Sequence, residues 1–139
     1  MISKPKCGWC NFTLGDFEGT PSYLTDVPVD LLNAFIDYHT KGCGIAWFDE
    51  EGSEISLVLT PYSLFIIEEK DKPTLYDFSE MKIESLEKEL IQDIESCIYG
   101  WEYFITDDDP EETRIHRDKI LQKIAILKKY VKVKKEWFD

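Results

Sequence analysis

Residues 44–69, GIAWFDEEGSEISLVLTPYSLFIIEE, decide the fold. Three β-rich runs lie within them, Gly44 to Asp49, Glu54 to Thr60 and Tyr62 to Glu69, separated by Glu51-Gly52 and Thr60-Pro61. Apolar and β-branched runs of this length bounded by glycine and proline turns read as strands, and turns this short join strands into an antiparallel meander. Lys70 to Pro73 makes a third turn, and Thr74 to Phe78 supplies one more short strand at an edge.

Upstream, Trp9 to Phe17 alternates, with Cys10, Phe12 and Leu14 on one face, and reads as a first strand ending near Gly15 or Gly19. Asp26, Val27 and Pro28 then open a helix over roughly 28–40. Its apolar positions Leu31, Leu32, Phe35 and Ile36 recur at helical spacing until Gly42.

Downstream the period is helical again. Leu86, Leu90, Ile94, Cys97, Ile98, Trp101 and Ile105 form one stripe that ends before Asp107-Asp108-Asp109-Pro110. Asp109, Pro110 and Glu112 then open a second long helix with a stripe at Ile120, Ile124, Leu127 and Val131. The expected fold is α+β: an antiparallel sheet of four to five strands, one short helix and a C-terminal long helical hairpin. Residues 1–139 read as a single globular domain, a size that buries roughly two-thirds of the unfolded surface in one core.

Charge divides the chain in two. Residues 1–109 hold 23 acidic and 7 basic side chains, residues 110–139 hold 5 and 9, and the whole carries −12. Acidic positions on the first long helix (Glu84, Glu87, Glu89, Asp93, Glu95, Glu102) face basic ones on the second (Arg114, Arg117, Lys119, Lys123, Lys128, Lys129), which accounts for part of the basic tail. Such exposed pairs are worth only about 0–1 kcal/mol each, so the apolar stripes hold the hairpin together. A net negative charge repels phosphates and excludes nucleic acid as a direct ligand, and the short patch from Lys128 to Lys135, with Tyr130, Trp137 and Phe138 among it, reads as a tail anchored on the body. The N-terminus carries no signal-peptide core and no apolar run reaches the roughly 20 residues a spanning helix needs, so the expected location is cytoplasmic, with no membrane partner.

Catalytic signatures are missing: there is no nucleophile elbow, phosphate-binding glycine loop or zinc-protease helix. His39, near a helix end, and His116, on a basic helix face, read as surface residues. Cys7-Gly8-Trp9-Cys10 lacks the preceding strand and following helix of a redox dithiol. With His39 and Cys43 it offers three thiolates and one imidazole, a legitimate tetrahedral set, so a zinc-stabilised structural or adaptor module is the alternative reading. The simpler expectation is four reduced thiols, no cofactor and no enzyme activity.

What remains is a cluster of carboxylates at the sheet turns: Asp49, Glu50, Glu51, Glu54, Glu68, Glu69 and Asp71. Such a surface imitates a phosphate backbone and would steer and occlude a basic partner, a nuclease being one such partner. Tyr62 and Tyr76 are the expected aromatic anchors.

The order of elements resembles a known family as well. Leu14-Gly15-Asp16 through Ser22-Tyr23-Leu24, Val27-Pro28, the helix to Tyr38, and Phe48-Asp49-Glu50-Glu51-Gly52 leading into Leu57-Val58-Leu59 resemble small bacterial immunity proteins that neutralise contact-dependent or other polymorphic toxins. The resemblance spans about residues 9–69. It implies a cytoplasmic inhibitor that binds the C-terminal domain of its cognate toxin one to one, and it transfers no binding residue by position. The seven carboxylates are inferred from charge alone.

Overall fold

A computed structural model of the chain describes residues 1–138, with side chains through Val131. The chain runs through β1 (Phe12–Leu14), β2 (Phe17–Gly19) and α1 (Val27–Lys41), then β3 (Gly44–Asp49), β4 (Glu54–Leu59), β5 (Leu64–Glu69) and β6 (Pro73–Asp77). The helices α2 (Ile83–Glu95), α3 (Ile98–Trp101) and α4 (Pro110–Phe138) follow. The fold is α+β, with a two-stranded sheet β1-β2 and a four-stranded antiparallel sheet in the order β3-β4-β5-β6.

The expected first strand is a small hairpin. Gly15 turns it with a φ of +57°, which a side chain would resist, and Phe78 packs directly over that glycine. The helix α1 ends as expected on Gly42, whose left-handed φ of 86° lets its N–H donate to the Tyr38 carbonyl. Proline opens the helix, but Asp26 makes no capping bond there because its carboxylate is used elsewhere.

Register sorts the four-stranded sheet into two faces. Phe48 pairs with Ile55 and Leu57 with Ile66, so Ala46, Phe48, Ile55, Leu57, Leu59, Leu64 and Ile66 all point inward and are buried. Burying a side chain of this size stabilises the fold by about 1.5–3 kcal/mol. Phe12 of the small hairpin meets Phe48 with ring centres 5.5 Å apart, and Phe17 meets Tyr76 at 5.0 Å. On the other face Ile45, Trp47, Ser56, Val58, Phe65, Ile67 and Leu75 look outward.

The helical hairpin is less regular than its stripe implies. The first helix stops at Glu95: Ser96 still makes the regular helical bond to the Gln92 carbonyl, but Cys97 leaves helical geometry at φ −143° and its N–H turns to the Ile94 carbonyl, three residues back. The chain restarts as α3, which turns Trp101 and Phe104 into the core with ring centres 5.1 Å apart and leaves Ile105 exposed. The second helix begins as expected, with Asp109 Oδ1 accepting from the Glu111 and Glu112 amides at 3.0 Å. Ile120, Ile124 and Leu127 are buried.

Charge pairing between these helices is partial. Lys128 reaches Glu95 at 2.8 Å and Arg117 reaches Glu102 at 3.6 Å, whereas Arg114 pairs within its own helix, with Glu111 and Asp118. Glu89 and Asp93 face the Met1 amino group. Of the expected aromatic tail, Trp137 and Phe138 lie outside the described side chains, as do Lys132, Lys134 and Lys135.

One contact fixes how α1 lies on the sheet. A Cβ at Gly44 would sit 1.8 Å from the Ala34 carbonyl oxygen, so only glycine lets the helix backbone approach β3 this closely. Gly44→Ala is therefore expected to cost about 1–3 kcal/mol through forced separation of helix and sheet. Urea unfolding reads this directly, and an unchanged midpoint would show that α1 can retreat without loss.

Candidate partner-binding site

The seven expected carboxylates do not act as one surface. Outward alternation along β3, β4 and β5 places Asp49, Glu54 and Glu69 side by side, because Asp49 pairs with Glu54 and Glu54 with Glu69. Facing residues on adjacent strands hold their Cβ atoms about 5 Å apart, and like charges so placed destabilise the pairing. Among the described residues no ion pair reaches any of the three. Glu54 accepts from the Trp47 indole N–H at 3.2 Å, and Asp49 accepts from the Glu51 amide at 2.6 Å. With Ser53 and Lys70 these carboxylates line a shallow depression of about 380 Å³.

Glu51 and Asp71 occupy the adjoining turn tips and are exposed. Glu51 sits at φ +57°, so the β3–β4 turn holds its backbone in the left-handed region. Glu50 and Glu68 depart from the expected cluster. Glu50 accepts from the Thr20 amide at 2.7 Å and the Ser53 hydroxyl at 2.7 Å, which ties the end of β2 to the β3–β4 turn. Glu68 points to the inner side, where the Tyr76 hydroxyl donates to it at 3.4 Å and Lys70 lies at 3.8 Å. Of the two expected aromatic anchors, Tyr62 stands free at 93% exposure, while Tyr76 is half-buried against Phe17.

Sequence reasoning missed the outward apolar side chains beside this row. A signal for them existed: the runs Ile45-Ala46-Trp47-Phe48, Leu57-Val58-Leu59 and Leu64-Phe65-Ile66-Ile67 are apolar at both parities, where a half-solvated strand alternates with polar residues.

The four zinc candidates are not assembled. Among the described residues no group of three or more His, Cys, Asp or Glu is placed to hold a metal ion. Cys7 and Cys43 are exposed and Cys10 is buried, where loss of solvent pushes its thiol up to about 12 and keeps it protonated. His39 is committed elsewhere: its Nε2 contacts the buried Glu87 carboxylate of α2, and its ring stacks on Tyr130 of α4 at 4.9 Å. A zinc-stabilised module is therefore set aside.

Both histidines are internal rather than on the surface. His116 presents Nε2 to Asp26 Oδ2 at 2.9 Å and Nδ1 to the Glu102 carbonyl at 3.1 Å. A carbonyl and a carboxylate oxygen flank the two ring nitrogens, an arrangement that favours the doubly protonated ring. Burial opposes that charge, but the bond and charge of Asp26, together with the Glu102 carbonyl, outweigh it and raise the pKa above its ordinary value. Lys119 works against the imidazolium. Asp30, one turn along α1, is pushed up to about 6 by its own burial and by the Asp26 charge, with Lys119 offsetting part of the rise. This cluster joins the start of α1 to α3 and α4.

Comparison with protein-family models, curated protein sequences and solved structures found no match to this chain. Among the described residues no helix is long and apolar enough to cross a membrane.

The folded chain holds the His116 and Asp30 protons more tightly than the unfolded chain does. Their contribution to stability is greatest in acid and is lost as pH rises, from about 4 for Asp30 and through values above 6.5 for His116. Unfolding free energies across pH 4–9 are expected to show this decline. His116→Gln should flatten its upper part, and Asp30→Asn should remove its lower part and raise stability at pH 7 by at most about 3 kcal/mol. An unaltered profile in both variants would contradict the cluster's titration.

Proposed function

We propose that this chain is an immunity protein: a cytoplasmic inhibitor that binds the C-terminal domain of a cognate bacterial toxin and occludes its basic active site without catalysis of its own. One observation carries the reading. Asp49, Glu54 and Glu69 stand in register, facing solvent and repelling one another, and the one lysine that lines their depression, Lys70, is drawn to Glu68 rather than to any of the three. A basic partner would relieve that repulsion on binding, whereas ordinary solubility gives no reason to concentrate it on one edge of the sheet. The overall charge of −12 exceeds the roughly 2–8 that keeps a small domain soluble. It supplies the long-range field that speeds capture of a cationic protein. The order of elements over residues 9–69, similar to that of immunity proteins, supports the same reading.

Two outcomes test it. In stopped-flow mixing with the C-terminal domain of a cognate toxin, the wild-type chain should associate rapidly and with strong salt dependence. Reversing Glu51, Glu54 and Glu69 to Lys should slow association at low salt by at least about tenfold and abolish the salt dependence. Steering by another surface would leave both unchanged. Separately, Glu54→Gln should raise the chain's own stability by about 0.2–1 kcal/mol by relieving like-charge pairing, while slowing association. A Glu54→Gln chain that is both less stable and equally fast in binding would place the carboxylate in the fold rather than in recognition.

A further inference from the structure

We infer that the outward face of the four-stranded sheet is the contact centre of the interface, and that the partner it fits is a protein with an apolar patch rimmed by lysine or arginine. The inference rests on the inhibitor reading above and assigns it a surface.

The register arranges the face in three rows across the strands. Ile45, Val58, Phe65 and Asp77 form the first, Trp47, Ser56, Ile67 and Leu75 the second, and Asp49, Glu54, Glu69 and Pro73 the third. Six apolar side chains fill the first two rows, and four carboxylates bound them on two sides. No outward position on these strands carries a lysine or arginine. A solvated antiparallel sheet presents mainly polar residues on its free face. Here Ile45 is 62% exposed, Leu75 61% and Trp47 43%, at a cost in solubility and aggregation that a monomer with no use for the face would avoid.

Charge decides between occupants. Two copies stacked through this face would bring four carboxylates from each against one another with only Lys70 beside them, itself drawn to Glu68, whereas a partner with a cationic rim pairs with the Asp49, Glu54 and Glu69 row. Trp47 lies at the boundary between the apolar and acidic rows, and its indole N–H is held by Glu54. That bond fixes a large, half-exposed aromatic surface beside the carboxylates, the arrangement in which an aromatic anchor and a cation from one partner are recognised together. Three rows about 6.8 Å apart on strands about 4.8 Å apart cover about 400 Å². This is half of the roughly 800 Å² a standard interface takes from each partner, so the face is its centre and the exposed turn tips at Glu51 and Asp71 supply part of the rim.

The test uses the full chain and the C-terminal domain of a cognate toxin. Trp47→Ala, and separately Ile45→Ser with Leu75→Ser, should weaken binding by about 30-fold or more in calorimetric titration, while Tyr99→Ala and Tyr103→Ala, which truncate exposed aromatics elsewhere, should change it less than about threefold. Circular dichroism and thermal unfolding of each variant confirm that the fold persists, and Trp47→Phe, which keeps an aromatic ring, should recover most of the affinity lost in Trp47→Ala. Wild-type affinity in the Trp47 and Ile45/Leu75 variants overturns this inference and leaves the inhibitor reading standing. Failure of the wild-type chain to bind overturns the inhibitor reading and this inference together. Sedimentation equilibrium supplies a third arm: a wild-type dimer that becomes a monomer on Ile45→Ser with Leu75→Ser assigns the face to a second copy and overturns the cationic partner.

Discussion

Register in the four-stranded sheet is the constraint on which the rest depends. Pairing Phe48 with Ile55 and Leu57 with Ile66 puts seven apolar side chains inward against α1 and the β1-β2 hairpin. The same pairing sets Asp49, Glu54 and Glu69 in one outward row. Because side chains alternate with a period of two, a slip by one residue would bury the carboxylates and expose the core. Burial of the inner face therefore holds the outer carboxylates in mutual repulsion. The short turns at Glu51-Gly52 and Pro61-Tyr62 fix the register locally, and Gly44 lets the α1 backbone close onto β3, where a Cβ would meet the Ala34 carbonyl.

The helical layer is joined to this platform by two internal histidine–carboxylate contacts. His39 of α1 meets Glu87 of α2 under the Tyr130 ring, and His116 of α4 meets Asp26 at the start of α1. Removing one member of a buried hydrogen-bonded pair leaves the other unsatisfied away from water, which costs more than the pair is worth when intact. These contacts fix which faces of α2 and α4 turn toward α1, whereas the exposed Lys128–Glu95 pair only tunes the hairpin.

Local signals carried most of the fold. The meander, the edge strand, the Gly42 stop and the Asp109 cap are each written in a few adjacent residues, and each stands within two residues of where the sequence places it, the edge strand running Pro73–Asp77 rather than Thr74 to Phe78. Long-range choices were less legible. The stripe through Cys97 to Ile105 looks continuous, but the helix breaks at Cys97 so that Trp101 and Phe104 both reach the core, a gain visible only once the core exists. The histidines looked exposed because their partners Glu87 and Asp26 lie 48 and 90 residues away. Among the carboxylates, composition located the cluster, but strand parity separates outward Asp49, Glu54 and Glu69 from inward Glu68. A hydrogen bond to Thr20 removes Glu50 from the free set.

One face of one sheet, apolar in the middle and acidic at its margins, is proposed here as the surface that meets a partner. Methyl cross-saturation with the proposed toxin domain tests this, since it reports which isoleucine, leucine and valine side chains lie against a bound protein. Saturation should transfer to Ile45, Val58, Ile67 and Leu75 and spare Leu24, Ile115 and Leu121, which are exposed elsewhere on the molecule. Transfer confined to Leu24, Ile115 or Leu121, with the sheet face silent, would contradict it.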